Sequence, residues 1–163
     1  ATTLDLFEQS KGDWDLADNR VKALLSWAAR LHEVGASIQP RNLQKHSFYI
    51  LKHANLPGFN AEQQAFLALL TRFHKNKIKL AELPELTQFR QIELLQCLIL
   101  LRLAVLLNVR RQSEFLPEIQ MEVDDHSLQL SFPGGWLAQH AVLRADLVQE
   151  QEYLLNIGFK LSF

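Results

Sequence analysis

The sequence is short of several things, and each shortage narrows what the chain can be. It holds one cysteine, Cys97, in 163 residues; no internal disulfide can form, and a lone thiol inside an apolar run suits a reducing, cytoplasmic setting. Seventeen Lys+Arg stand against 18 Asp+Glu, a net charge of −1, so the whole molecule lacks the positive field of a nucleic-acid binder or an anionic-membrane binder. A polyanion site must then be a local patch. No membrane-length apolar run is free of polar residues: the longest, 92–109, carries Glu93, Gln96, Arg102 and Asn108 and reads as a core helix. No signal peptide, repeat or low-complexity segment is visible. The opening ATTLDLFEQ has helical spacing but neither a cap nor an initiator Met, which reads as a fragment of a longer protein starting inside an element.

Catalytic hardware is also missing. The only Gly-Gly, Gly134-Gly135, follows a proline without the strand-turn-helix context of a phosphate loop. Asp124-Asp125 reads as a hairpin turn rather than a metal pair. Trp27, Trp136 and Phe159 are scattered through core periodicity and form no base-stacking platform, so nucleic acid is not expected as a partner.

What is present is a core-building pattern, with 48% hydrophobic residues, enough for a compact fold without staples. The richest stretch is LLSWAARLHEVG, from Leu24 to Gly35. Val21, Leu24, Leu25, Ala28 and Leu31 have the spacing of an amphipathic helix over 20–34, which Gly35 ends and which carries His32 and Glu33 near its C-terminus. Leu43, His46, Ser47, Ile50, Leu51 and Ala54 mark the inner face of a further helix, broken at Leu56-Pro57-Gly58. Asn60 and Gln63 have capping-box spacing ahead of the stripe Phe66, Leu69, Leu70 and Phe73, giving a helix to about His74. Residues 75–79 form a basic exit from it, and residues 89–111 a helix apolar nearly all round.

At Pro117 the period changes to two. Ile119, Met121 and Val123, then Leu128, Leu130 and Phe132, predict two strands joined by a hairpin over 124–127. A short helix at 136–140 follows, then a helix from Asp146, whose spacing to Gln149 suits a capping box, to about Ile157 with Gly158 as its stop. Phe159, Leu161 and Phe163 predict a last strand. The fold class expected is mainly α with a C-terminal α+β part: a helical domain over 1–115 and a small α+β domain over 116–163.

The chemistry-bearing residues His32-Glu33, His46, Arg72-Phe73-His74 and Arg102 fall on successive helices. HD-type metal phosphohydrolases present ligands from successive helices in a similar order: an early His, a His-Asp pair and a late Ala-Asp step. Here the early His has no counterpart, the pair is His32-Glu33, and the late step is Ala104-Val105, in which valine cannot coordinate. These losses leave too few ligands for a firm metal site, and no metal-binding or catalytic residue is assigned. Arg102, inside an apolar helix, needs an acceptor, for which Glu33 is a candidate.

One family carries a degenerate HD-like helical domain with this altered pattern. The segments LLSWAARLHEVG, HSFYIL, LPGFN, RFHKNKIKL, LLRLAVLLNVRRQ, FPGGWLAQHAV and DLVQEQEYLLNIGF, in order, resemble the C-terminal region of the bacterial exopolyphosphatase and guanosine pentaphosphate phosphohydrolase family. The resemblance covers essentially the whole chain. It implies a non-catalytic part whose N-terminal actin-like partner domains bind Mg2+ and cleave phosphate from inorganic polyphosphate or guanosine pentaphosphate. It also implies a homodimer, and a basic channel that holds the polyphosphate chain.

Gripping a flexible polyanion needs several cationic donors spread along a surface. The candidates are Lys45, His46, Arg72, His74, Lys75, Lys77 and Lys79. Ordinary solvated surface is the alternative for each lysine, and a satisfied core imidazole for His46 and His74. Two further functions remain open: a metal-dependent HD-type hydrolase using His32, Glu33 and His74, and a dimerisation or sensor module without ligand, built on an apolar face of the central helix or the α+β part.

Overall fold

The structure, a computed structural model, describes residues 22, 27, 28, 58–111 and 117–163, with the backbone alone for 108–111. The expectations for a helix tail at 3–10, for most of the helix at 20–34 and for the helix at 43–54 fall outside these residues. Lys22, Trp27 and Ala28 are helical, and Ala28 is fully buried. The described residues fall into two compact units, one running to Arg102 and the other from Leu103 to Phe163. The whole is mainly α with a small α+β part.

In the first unit, helix α1 spans Ala61–Arg72. Its start is the capping box that Asn60 and Gln63 predict: Asn60 Oδ1 accepts the Gln63 N–H at 2.8 Å, and Gln63 Oε1 accepts the Asn60 N–H at 3.0 Å. Phe66, Leu67, Ala68, Leu69 and Leu70 are buried, and the Phe66 ring lies 4.8 Å from that of Phe89. Helix α2 spans Gln91–Arg111, its residues to Arg102 belonging to this unit and those from Leu103 to the second. Every residue from 94 to 105 is buried, the polar exceptions to an apolar run being Gln96 and Arg102. Cys97 is among them, and burial, then the Glu93 carboxylate, pushes its thiol far above the ordinary range. Among the described residues no helix is long and apolar enough to cross a membrane.

Glu62 ties the approach to α2 back onto the first turn of α1. Its carboxylate accepts the Thr87 hydroxyl at 2.6 Å, the Gln88 N–H at 2.5 Å and the Phe89 N–H at 3.3 Å. The Thr87 hydroxyl is the largest cause of a lowered Glu62 pKa; desolvation opposes it, and the backbone amides of Gln88, Phe89 and Thr87 add to the lowering.

In the second unit, β1 (Gln120–Asp124) and β2 (Ser127–Ser131) form an antiparallel hairpin in the register Gln120↔Ser131 to Asp124↔Ser127. Strand β3 (Lys160–Ser162) adds to β2 in parallel, with Leu128 opposite Leu161. Met121, Val123, Leu128, Leu130 and Leu161 are buried while their neighbours in sequence face solvent, the period-two pattern of a sheet with one covered face. Helix α3 (Ala141–Leu155) makes the crossover and packs on β3, burying Leu143, Leu147 and Leu154.

Two expectations need correction here. The segment predicted as a helix at 136–140 is a single 3-10 turn, Leu137–Gln139. Helix α3 begins at Ala141, five residues before Asp146, because Leu143 and Leu147 extend the buried stripe N-terminally and the Arg144 N–H already reaches the His140 carbonyl at 3.0 Å. Gly158, at φ +85, ends it as predicted, letting the Phe159 N–H return to the Leu154 carbonyl at 2.9 Å.

Two expected outcomes follow from this unit packing. Because the folded-state pKa of Glu62 lies below its unfolded value, its contribution is present above the ordinary carboxylate range and is lost as pH falls through the lowered pKa. Urea midpoints measured from pH 7 downward therefore fall more steeply in the wild type than in Glu62→Gln, which starts lower and loses less. Cys97 stays unmodified by an aromatic disulfide reagent in the native protein and reacts after denaturation.

A cationic segment at the C-terminus of helix α1

The C-terminus of α1 leaves carbonyls that the helix cannot satisfy. Side chains satisfy two of them. His74, buried, sets its Nδ1 against the Thr71 carbonyl; a carbonyl only accepts, so Nδ1 carries the proton and donates. The Arg102 guanidinium, also buried, donates from Nη1 to the Phe73 carbonyl at 2.5 Å. A cation placed there also suits the negative end of the helix dipole. Thr71, buried alongside, returns its own hydroxyl to the Leu67 carbonyl at 3.1 Å.

Arg72 is held differently. Its Nη2 meets Glu82 Oε2 at 2.5 Å, and its guanidinium lies 4.9 Å from the centroid of the Phe73 ring. Glu82 comes from the 3-10 turn Leu80–Glu82, so the pair closes residues 72–82 into a loop. Of the seven cationic candidates, Arg72 and His74 thus have structural partners inside this unit.

Lys77 and Lys79 stand apart from that network. Lys75, Lys77 and Lys79 are exposed, whereas Ile78 between the last two is only 3% exposed. Asn76 takes φ +64, a left-handed conformation that asparagine tolerates better than most residues, and it turns the chain just past the helix. Lys79 is extended, at φ −98 and ψ 97. Ile78 is buried, and Lys77 and Lys79 on either side of it in sequence are both exposed. Among the described residues neither ammonium makes an ion pair or a side-chain hydrogen bond.

Lys45, His46, His32 and Glu33 lie outside the described residues. The acceptor for Arg102 that the structure does describe is a backbone carbonyl, which no carboxylate pattern in the sequence could single out. Among the described residues no group of three His, Cys, Asp or Glu could hold a metal ion. Unanticipated from composition was a stack in the second unit: the Phe132 and Trp136 rings lie 5.6 Å apart and the Trp136 and His140 rings 3.7 Å apart, nearly parallel in both pairs. Its i, i+4, i+8 spacing was the available signal.

The family of this chain is established by comparison. Residues 1–151 match Ppx/GppA phosphatase, domain III, and the chain belongs to the Ppx/GppA phosphatase family. Among its relatives are proteins named guanosine-5'-triphosphate,3'-diphosphate pyrophosphatase. That of Pseudoalteromonas translucida is 32% identical over 97% of this chain and 32% of its own length; that of Vibrio atlanticus is 34% identical over 96% and 31%. The Vibrio cholerae protein of the same name is 33% identical over 96% of this chain and 31% of its own. The chain spans about a third of the length of these relatives.

The two arginines are expected to separate in stability measurements. Glu82→Gln, which loosens the partly exposed Arg72 pair, costs about 0.2–1 kcal/mol. Arg102→Leu, which strips a buried carbonyl of its donor, costs about 1–3 kcal/mol. Chemical denaturation of both variants checks the order.

Proposed function

We propose that this chain is a non-catalytic accessory part of a longer phosphohydrolase, and that residues 75–79 hold a phosphate polyanion while it is cleaved elsewhere. The observation that carries the proposal is the pair Lys77 and Lys79: both exposed, flanking the buried Ile78, and without an ion pair among the described residues. A cation already paired must give up its partner before it can bind phosphate; these two need not. Lys75, exposed just before the Asn76 turn, widens the same segment, and Lys45 and His46 are its proposed extension. Mg2+ and the attacking water would belong to N-terminal actin-like domains outside this sequence. A homodimer and a cytoplasmic setting complete the proposal.

The polyanion proposed is inorganic polyphosphate, which can span several lysines. A second substrate, guanosine pentaphosphate, is favoured for the longer protein by the names of the relatives just described. Both present a run of phosphates to the same ammonium groups. An HD-type metal centre draws less support: His74 Nδ1 is engaged with the Thr71 carbonyl, and Val105 offers no donor at the position of a late aspartate.

Binding of long-chain polyphosphate, followed by fluorescence anisotropy across a salt series, tests the proposal. Lys77→Ala combined with Lys79→Ala is expected to weaken binding and to flatten the log-affinity against log-salt slope by about one for each lysine lost, as counterion release requires. Unchanged affinity and slope would contradict it. Guanosine pentaphosphate in place of polyphosphate in the same series tells the two substrate classes apart by which one the lysines discriminate.

A further inference from the structure

Helix α3 buries one side and exposes apolar residues on the other. Val148 and Leu155 are 40% and 67% exposed, while Val142, 57% exposed, lies about 120° around the helix from Val148. Ala141 and Ala145 beside them are exposed too. Seven residues fall only about 20° short of two full helical turns. Ala141, Val148 and Leu155, seven apart in each step, therefore form a nearly straight line along the helix. At about 100° per residue, Arg144 and Glu152 flank this line by about 40°, one on each side and each four residues from Val148. Both are exposed. Among the described residues Arg144 makes no ion pair, and Glu152 only accepts a long 3.4 Å hydrogen bond from Gln149.

This pattern is symmetric about Val148. If a second α3 lies antiparallel on the first with Val148 at the two-fold, Arg144 comes level with Glu152 of the other copy, twice over. Small Ala141 comes level with large Leu155, again twice, so the bulge of one line meets the gap in the other. A parallel pairing would set Arg144 against Arg144 and Glu152 against Glu152. The charges thus favour one orientation and disfavour the other.

We propose that the exposed face of α3 is a self-complementary docking surface for a second copy of this chain, paired antiparallel about Val148. It names a surface for the homodimer proposed above and rests on that part of the proposal, independently of any polyanion. A helix of 15 residues is about 22 Å long, too short to bury the area of a standard obligate interface, so the pairing is a concentration-dependent equilibrium unless neighbouring surface joins it.

Sedimentation velocity over a wide concentration range, on the wild type, Arg144→Glu, Glu152→Arg, the double charge swap and Val148→Asp, provides the test. All three positions are exposed, and far-UV circular dichroism confirms that each variant keeps its fold. The expected result is that each single charge reversal and Val148→Asp raise the dimer dissociation constant by about tenfold or more, while the double swap recovers it. A wild type that stays monomeric throughout overturns both this surface and the homodimer. A wild type that dimerises equally well in every variant leaves the homodimer standing and overturns this surface. Weakened singles without recovery in the double swap overturn the antiparallel geometry.

Discussion

A guanidinium in the middle of an apolar helix must find an acceptor or the helix cannot be buried. Arg102 finds the Phe73 carbonyl, and much of the first unit depends on that bond. It lets α2 be buried from 94 to 105 without an orphaned charge, and it supplies the donor that the end of α1 lacks. His74 performs the neighbouring service for the Thr71 carbonyl. The helix end is therefore closed from inside by two side chains, and no glycine is needed to terminate it.

Where α1 stops decides where the lysines go. Past Phe73 the chain turns at Asn76, drops Ile78 into the core and leaves Lys77 and Lys79 on the outside. The Arg72–Glu82 pair closes this loop at its far side. A protein with a net charge of −1 can in this way present local positive charge, because Arg72 and His74 there are used in the framework while Lys77 and Lys79 make no ion pair among the described residues. In a chain that spans about a third of the length of its Ppx/GppA relatives, this segment is the basis of the polyanion-holding role proposed above.

The sequence made the architecture legible wherever local chemistry decides it. The Asn60–Gln63 box, the period-two strands around Asp124 to Ser127 and the Gly158 stop all depend on residues within a few positions of one another, and all three occur. Legibility failed at the start of α3. Asp146 and Gln149 have the spacing of a cap, but Leu143 and Leu147 bury a stripe that begins earlier, and burial of two leucines outweighs an optional cap. The parallel pairing of β3 with β2 was equally invisible, since alternation reports which face is buried and not which neighbour the strand takes. At the site, periodicity marked His74 and Arg102 as buried polar residues in need of partners. It could not name those partners, because both are backbone carbonyls freed by the end of a helix whose last residue only the fold defines.

The most direct measurement is a two-dimensional amide NMR titration of the chain with long-chain polyphosphate, at low and then high salt. The lysine segment implies shifts concentrated at Lys75, Asn76, Lys77 and Lys79, little change in the buried residues of α1, and reversal as salt is raised. Shifts scattered over the surface, or centred elsewhere while residues 75–79 stay unmoved, would contradict it.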